Sequence, residues 1–160
     1  MLKLFDKEKE IKYDINKYLT KIFPLENFSA FGIEMEGIYF KTGEHAFQYL
    51  KYKDKKICDE IINCSNPYDV RILGGKYKTK RISNWSQVKY DYLEKVFKLK
   101  VEQNQMVKDA LLATKDYLIC EYCEDEDTEW GLDKNGNGEN KLGKVWMKVR
   151  DEITKKNGEK

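Results

Sequence analysis

Start and stop signals recur at short intervals along this 160-residue chain, and they restrict it to short helices with little room for sheet. Phe23-Pro24, Glu36-Gly37, Thr42, Asp54, Asn66-Pro67, Leu73-Gly74-Gly75 and Asn135-Gly-Asn-Gly138 each cap, turn or break regular backbone. Ahead of them, residues 1–22 are rich in Lys, Glu and Asp, with Leu4, Ile11, Ile15, Leu19 and Ile22 at loosely helical spacing. That pattern predicts a solvated N-terminal helical extension over 1–22 and a domain over 23–156. Residues 31–40 alternate apolar and polar around Glu36-Gly37, the pattern of a hairpin. Thr42 is suited to cap a helix running to Tyr52, and Asp54 to cap another with Ile57, Ile61 and Ile62 inward. Asn66-Pro67 opens a third that ends at Leu73-Gly74-Gly75. A longer helix over 86–101 places Val88, Tyr92, Val96 and Leu99 on one face. Helix over 104–112, strand over 117–122 and a closing helix over 140–155, capped by Asn140, complete the chain. The fold class is α+β, a helix-rich single domain with a small β-sheet.

Thirty Lys and Arg against 28 Asp and Glu leave a net charge of +2, so any nucleic-acid contact has to come from a local patch. The chain has no apolar run of about 18 residues, and Met-Leu-Lys-Leu-Phe-Asp is charged too early for a secretory signal. A cytoplasmic protein without membrane contact or obligate protein partner is expected. Cys120 and Cys123 have the gap of half a zinc knuckle, but Cys58 and Cys64 are wrongly spaced and His45 is the only histidine. Free thiols are the expectation, with no metal site and no cofactor.

Three places could carry chemistry. Glu44, Gln48 and Lys51 share a helical face. Spacing alone reads this stripe as solvated, yet a carboxylate in the first turn is favoured by the helix dipole and suited to act as a base. His45 points elsewhere and reads as a hydrogen-bonded structural residue. Arg81-Ile-Ser-Asn-Trp85 sets a tryptophan ahead of a helix, either a hydrophobic staple or a stacking wall for a planar ring. The loop Asp133-Lys-Asn135-Gly-Asn137-Gly138 copies the first half of an EF-hand calcium loop. Its twelfth position is Lys144 where a bidentate Glu is needed, so it reads as a turn feeding a helix.

Taken together, these pieces resemble the YbiA-like, or NADAR (NAD- and ADP-ribose-associated), family. The matching residues are Phe23-Pro-Leu-Glu-Asn27-Phe28, Thr42-Gly-Glu44-His45-Ala-Phe47-Gln48-Tyr-Leu-Lys51, Leu73-Gly74, Arg81, Trp85, and Lys98 with Asn104. They continue through Leu111-Leu-Ala-Thr114, Glu121, Asp127-Thr-Glu-Trp130-Gly131 and Asn140-Lys-Leu142-Gly143-Lys-Val-Trp-Met147-Lys-Val-Arg150. Gly75 stands where the family often has Arg. The resemblance implies hydrolysis of an N-glycosidic bond to ribose. It implies either removal of ADP-ribose from modified guanine in nucleic acid, single-stranded DNA included, or hydrolysis of ribosylamino-pyrimidine phosphates of riboflavin synthesis.

On that resemblance Glu44 is the catalytic glutamate, and Trp85 and Trp130 are pocket walls. Asn27, Phe47, Gln48, Lys51, Arg81, Asp127, Gly131 and Asn140 complete the expected substrate-binding set. Lys51 would fix Glu44 or a phosphate, the N-terminus of the 140 helix would hold a phosphate, and Arg150 would pair with a carboxylate. A non-catalytic ADP-ribose or nucleotide module using the same pocket, and a purely structural domain, are the competing readings.

Overall fold

Glu36 and Gly37 both adopt positive φ, 55° and 78°. This two-residue turn matches the right-handed twist of its flanking strands. It joins β2 (Ile33–Met35) to β3 (Ile38–Phe40), with Ile33 opposite Phe40 and Met35 opposite Ile38. The computed structural model describes residues 2–5, 20–123 and 128–158, and its chain divides into two compact units. One is contiguous, residues 27–104; the other is built from both ends of the chain, 1–26 with 105–160.

The contiguous unit holds the hairpin and four helices: α1 (Gly43–Tyr49), α2 (Lys55–Asn63), α3 (Pro67–Lys76) and α4 (Trp85–Gln103). The expected caps are in place. Thr42 Oγ1 accepts from the N–H of His45, Asp54 from those of Lys56 and Ile57, and Asn66 from that of Asp69. Tyr52, Ile57, Cys58, Ile61 and Val70 form one core cluster, with Ile62 only half-buried. α1 lies at the centre of the unit, against α2, α3, α4 and the hairpin.

Two details depart from the sequence reading. α3 runs through Gly74 and Gly75 to Lys76 instead of ending there: neither glycine takes the positive φ of a helix stop, and Gly74 instead gives room for the side chain of Gln48. α4 buries Leu93, Val96, Phe97, Lys100 and Val101, while Val88, Tyr92 and Leu99 are half-buried. The buried stripe is rotated from the expected one because Lys100 reads as solvated; in the fold it is fully buried and donates to Ser29 Oγ at 2.8 Å.

In the other unit, β1 (Leu2–Phe5) pairs antiparallel with β4 (Leu118–Glu121), Leu2 opposite Glu121 and Phe5 opposite Leu118. Residues 2–5 are therefore strand, not the expected helix; 6–19 lie outside the described residues. Thr20–Leu25 is a 3-10 helix that continues through Pro24. α5 (Gln105–Ala113) packs on it, and α6 (Lys141–Gly158) packs on β4 and α5. Arg150, on α6, donates from Nη1 to Thr114 Oγ1 and to the carbonyl of Tyr117, both at 2.8 Å. Its main partners are thus a hydroxyl and a backbone carbonyl between α5 and β4, with Asp151 a distant 3.8 Å away. The architecture is α+β and helix-rich, with its strands in two separate two-stranded ladders. No described helix is long and apolar enough to cross a membrane.

Candidate active site

The polar stripe of α1 is not solvated. Glu44 is 6 % exposed, Gln48 4 % and Lys51 7 %. Burying three polar side chains on one face is costly unless each is partnered, and here the partners converge on Glu44. Asn27 Nδ2 donates to Oε2 at 2.6 Å and Gln48 Nε2 to Oε1 at 2.7 Å. The backbone repeats the attachment, since the N–H of Glu44 donates to the carbonyl of Asn27 at 2.9 Å. Each oxygen faces one amide donor, which suits a group that only accepts and leaves lone pairs free for a hydroxyl or water.

Glycine makes this closeness possible. A Cβ on Gly43 would collide with Asn27 Oδ1, and one on Gly74 would collide with Gln48 Oε1. The Gly74 carbonyl also accepts from Tyr52 Oη and from Arg81 Nη2, each at 3.0 Å. Gly74 and Tyr52 are positioning residues that the expected site lacks; Gly74 is read from the sequence as a helix stop and as part of a family motif, with no role at the site.

Lys51 follows the C-terminal end of α1, and Ile82 donates its N–H to the Lys51 carbonyl at 2.9 Å. Its Nζ lies 5.0 Å from the Phe47 ring centroid and 5.2 Å from that of Trp85, within cation–π range. Burial pulls its pKa from 10.5 down to about 8. The Glu44 charge opposes the shift, and Arg81, Arg71 and Lys89 add to it. Trp85 is the first residue of α4, and its half-buried ring meets Phe47 at 5.3 Å and Tyr92 at 6.1 Å. It is a wall beside Lys51, and Asn84 before it makes no side-chain cap. His45 is structural as expected: it is 1 % exposed, with Nδ1 2.8 Å from Thr42 Oγ1 and Nε2 3.3 Å from the Cys64 carbonyl. Burial holds its pKa below the usual value.

The fold thus brings together Asn27, Glu44, Phe47, Gln48, Lys51, Arg81 and Trp85. Three buried polar atoms in this group have no hydrogen-bond partner in the structure: Asn27 Oδ1, Gln48 Oε1 and Arg81 Nε. Buried polar atoms are rarely left unpaired, so their concentration around one carboxylate marks it out from the rest of the unit.

Trp130, Gly131 and Asn140 belong to the other unit, and Asp127 lies outside the described residues. Asn140 does not cap α6 with its side chain. Its Oδ1 accepts from the N–H of Glu121 at 3.0 Å and its Nδ2 donates to the Ile119 carbonyl at 2.9 Å, so both ends of the amide are taken by β4. Nor is the start of α6 an open phosphate site. Lys141 donates its N–H to the Glu129 carbonyl and Leu142 donates to that of Trp130, both at 3.1 Å, because the preceding turn supplies the cap. Gly131 fits where a Cβ would strike the Glu121 carbonyl and Cys123 Sγ. Asp133 closes its own loop, Oδ1 accepting from the N–H groups of Asn135 and Asn137 at 2.8 Å. Cys58 and Cys120 are buried and Cys64 and Cys123 half-buried, and burial raises the Cys120 pKa to about 11.

The NADAR domain family model matches residues 4–154. The N-glycosidase YbiA of Shigella boydii is 34 % identical over 127 residues, covering 79 % of each chain. A riboflavin biosynthesis protein of Vibrio vulnificus is 26 % identical over 129 residues, 81 % of this chain and 35 % of its own. Among solved structures, that of YbiA from E. coli superposes with a TM-score of 0.77 at 31 % identity, covering 86 % of this chain and 81 % of its own.

Proposed function

Because the chain belongs to the NADAR domain family, whose matched relatives include N-glycosidases, it is an N-glycosyl hydrolase, and we propose that it removes ADP-ribose from the amino group of modified guanine in nucleic acid. The observation that carries this reading is Glu44, a buried carboxylate with each oxygen held by an amide and a buried lysine near it.

Breaking the bond between the anomeric carbon and nitrogen develops positive charge on the sugar, which a fixed carboxylate stabilises. Glu44 accepts a proton from water as the water oxygen attacks the anomeric carbon. The carbon–nitrogen bond breaks, its electron pair leaves with the guanine amine, and the proton passes on to that nitrogen. The products are free ADP-ribose and unmodified guanine. Asn27 and Gln48 keep the carboxylate aimed, so little reorganisation accompanies the charge. Lys51 and Arg81 are cations suited to the pyrophosphate, and Trp85 offers a face on which a base can stack.

Glu44→Gln should cut turnover about 10²–10⁴-fold while ADP-ribose binding persists. Wild-type protein that binds yet never releases free ADP-ribose would leave only a binding module. The Vibrio relative favours a second substrate, a ribosylamino-pyrimidine phosphate of riboflavin synthesis. Parallel turnover of an ADP-ribosylated oligonucleotide and that phosphate decides between them; a tenfold preference for the latter overturns the guanine reading.

A further inference from the structure

The chain is nearly neutral overall, but its charge is not evenly spread. Residues 70–90 contain Arg71, Lys76, Lys78, Lys80, Arg81 and Lys89 and no Asp or Glu. The remaining twenty-four cations face twenty-eight carboxylates, a balance of −4. A basic stretch of this length on a slightly acidic remainder is the local patch that a polyanion needs.

The fold sets this stretch against the candidate site. Its start is α3, its middle the exposed 3-10 turn Lys78–Lys80, and its end the first turns of α4. Two hydrogen bonds fasten it beside the site, from Ile82 N–H to the Lys51 carbonyl and from Arg81 to the Gly74 carbonyl. Arg71, Arg81 and Lys89 all lie close enough to act on the charge of Lys51. Tyr68, Arg71 and Ile72 share one face of α3, with Tyr68 68 % and Ile72 67 % exposed. The Tyr68 ring is steadied edge-on by Phe28, 5.1 Å away.

One carboxylate, Asp69, lies within this strip, and the others nearby are at its margins. Asp69 accepts from Asn66 at 2.5 Å, Glu60 accepts from the Tyr77 hydroxyl at 2.7 Å, and Asp91 follows the last lysine. The exposed cations Arg71, Lys76, Lys78 and Lys80, with the exposed Tyr68 ring beside them, fit a backbone of regularly spaced phosphates carrying stackable bases.

We propose that the strip from Tyr68 to Lys89 is a docking surface for single-stranded nucleic acid, and that it holds the phosphate backbone of a strand whose modified base enters the Glu44 site. This rests on the guanine reading for the base, but the surface itself is testable without turnover.

Lys78 and Lys80 are exposed and make no part of the site, so Lys78→Glu/Lys80→Glu is the informative variant. Fluorescence anisotropy with a labelled, unmodified single-stranded 12-mer measures docking alone. The wild-type protein should bind it, with affinity falling as salt rises. The variant should bind at least tenfold more weakly, with a log–log salt slope shallower by about 1.4, or 0.7 for each phosphate no longer neutralised. In turnover, kcat/KM on an ADP-ribosylated 12-mer should drop by a similar factor and on ADP-ribosyl-guanosine should not change. Binding of the 12-mer by wild type and not by the variant supports the surface even if neither modified substrate is cleaved, an outcome that would sink only the guanine reading. No wild-type binding, equal binding by both proteins, or binding of anionic vesicles in place of the oligonucleotide overturns the surface.

Discussion

Lys51 carries two opposed demands in one side chain. Its ammonium sits against two aromatic rings near Glu44, where a cation is useful, and in a place where burial disfavours charge. The unfolded lysine titrates near 10.5 and the folded one near 8, so between these values the unfolded chain binds more protons. Stability therefore rises with pH across that window. Below about 8 the full penalty applies, about 3 kcal/mol. Lys51→Met should accordingly stabilise the protein in urea unfolding at pH 7, while its advantage shrinks between pH 8 and 10.5 and turnover is lost. Wild-type turnover should decline above pH 8 as the ammonium is lost; a variant no more stable than wild type at pH 7 would contradict a buried, charged Lys51. Gly74 poses a second residue-level test. Gly74→Ala should push the Gln48 amide off Glu44 and lower kcat about 10²-fold, the scale expected when a reacting group shifts by about 1 Å. Adding Gln48→Ala to Gly74→Ala should cost little more, because both remove the same hydrogen bond. Additive losses would mean that Gly74 acts elsewhere. Of these residues, Glu44 and Lys51 stand out in the sequence. Gly74 is visible there as a helix stop and a motif residue, but its role at the site is not, because that role depends on a helix that approaches from elsewhere in the chain.

At the scale of elements, the sequence is most legible where a local signal is complete within a few residues. Thr42, Asp54 and Asn66 announce α1, α2 and α3, and Glu36-Gly37 announces the hairpin. Asn140 shows how such a signal misleads. It stands where an N-cap belongs, but its φ is 49° and its side chain fastens β4 to the start of α6. Asn140→Ala should cost about 2 kcal/mol, the sum of two typical hydrogen bonds, with added strain from a left-handed backbone that Ala tolerates less well. Chemical denaturation measures this directly. A loss under about 0.5 kcal/mol would mean that β4 holds its place without the amide. The rotated stripe of α4 has the same origin: a lysine is read as surface until a buried serine is found to receive it.

At the scale of the molecule, the chain begins in a strand, Leu2–Phe5, where composition suggests a solvated helical extension. β1 completes a ladder with β4, more than a hundred residues later, and the family match begins at residue 4. Removing residues 1–5 should expose the edge of β4 and lower the melting temperature by several degrees, since about 1 kcal/mol moves it roughly 2–4 °C in a chain of this size. An unchanged melting temperature would mean that β4 holds its place without β1. The order of amino acids was enough to establish the helix-rich α+β class, the capped helices of residues 42–76, the hairpin and, through ordered motifs, the family. It also contained the basic run of residues 70–90 in plain view. Folding had to be seen to learn that the Glu44–Gln48–Lys51 stripe faces inward, that Asn27 and Gly74 shape its surroundings, and that the basic run lies against it. Periodicity reports which residues share a face, but burial depends on what distant chain covers that face.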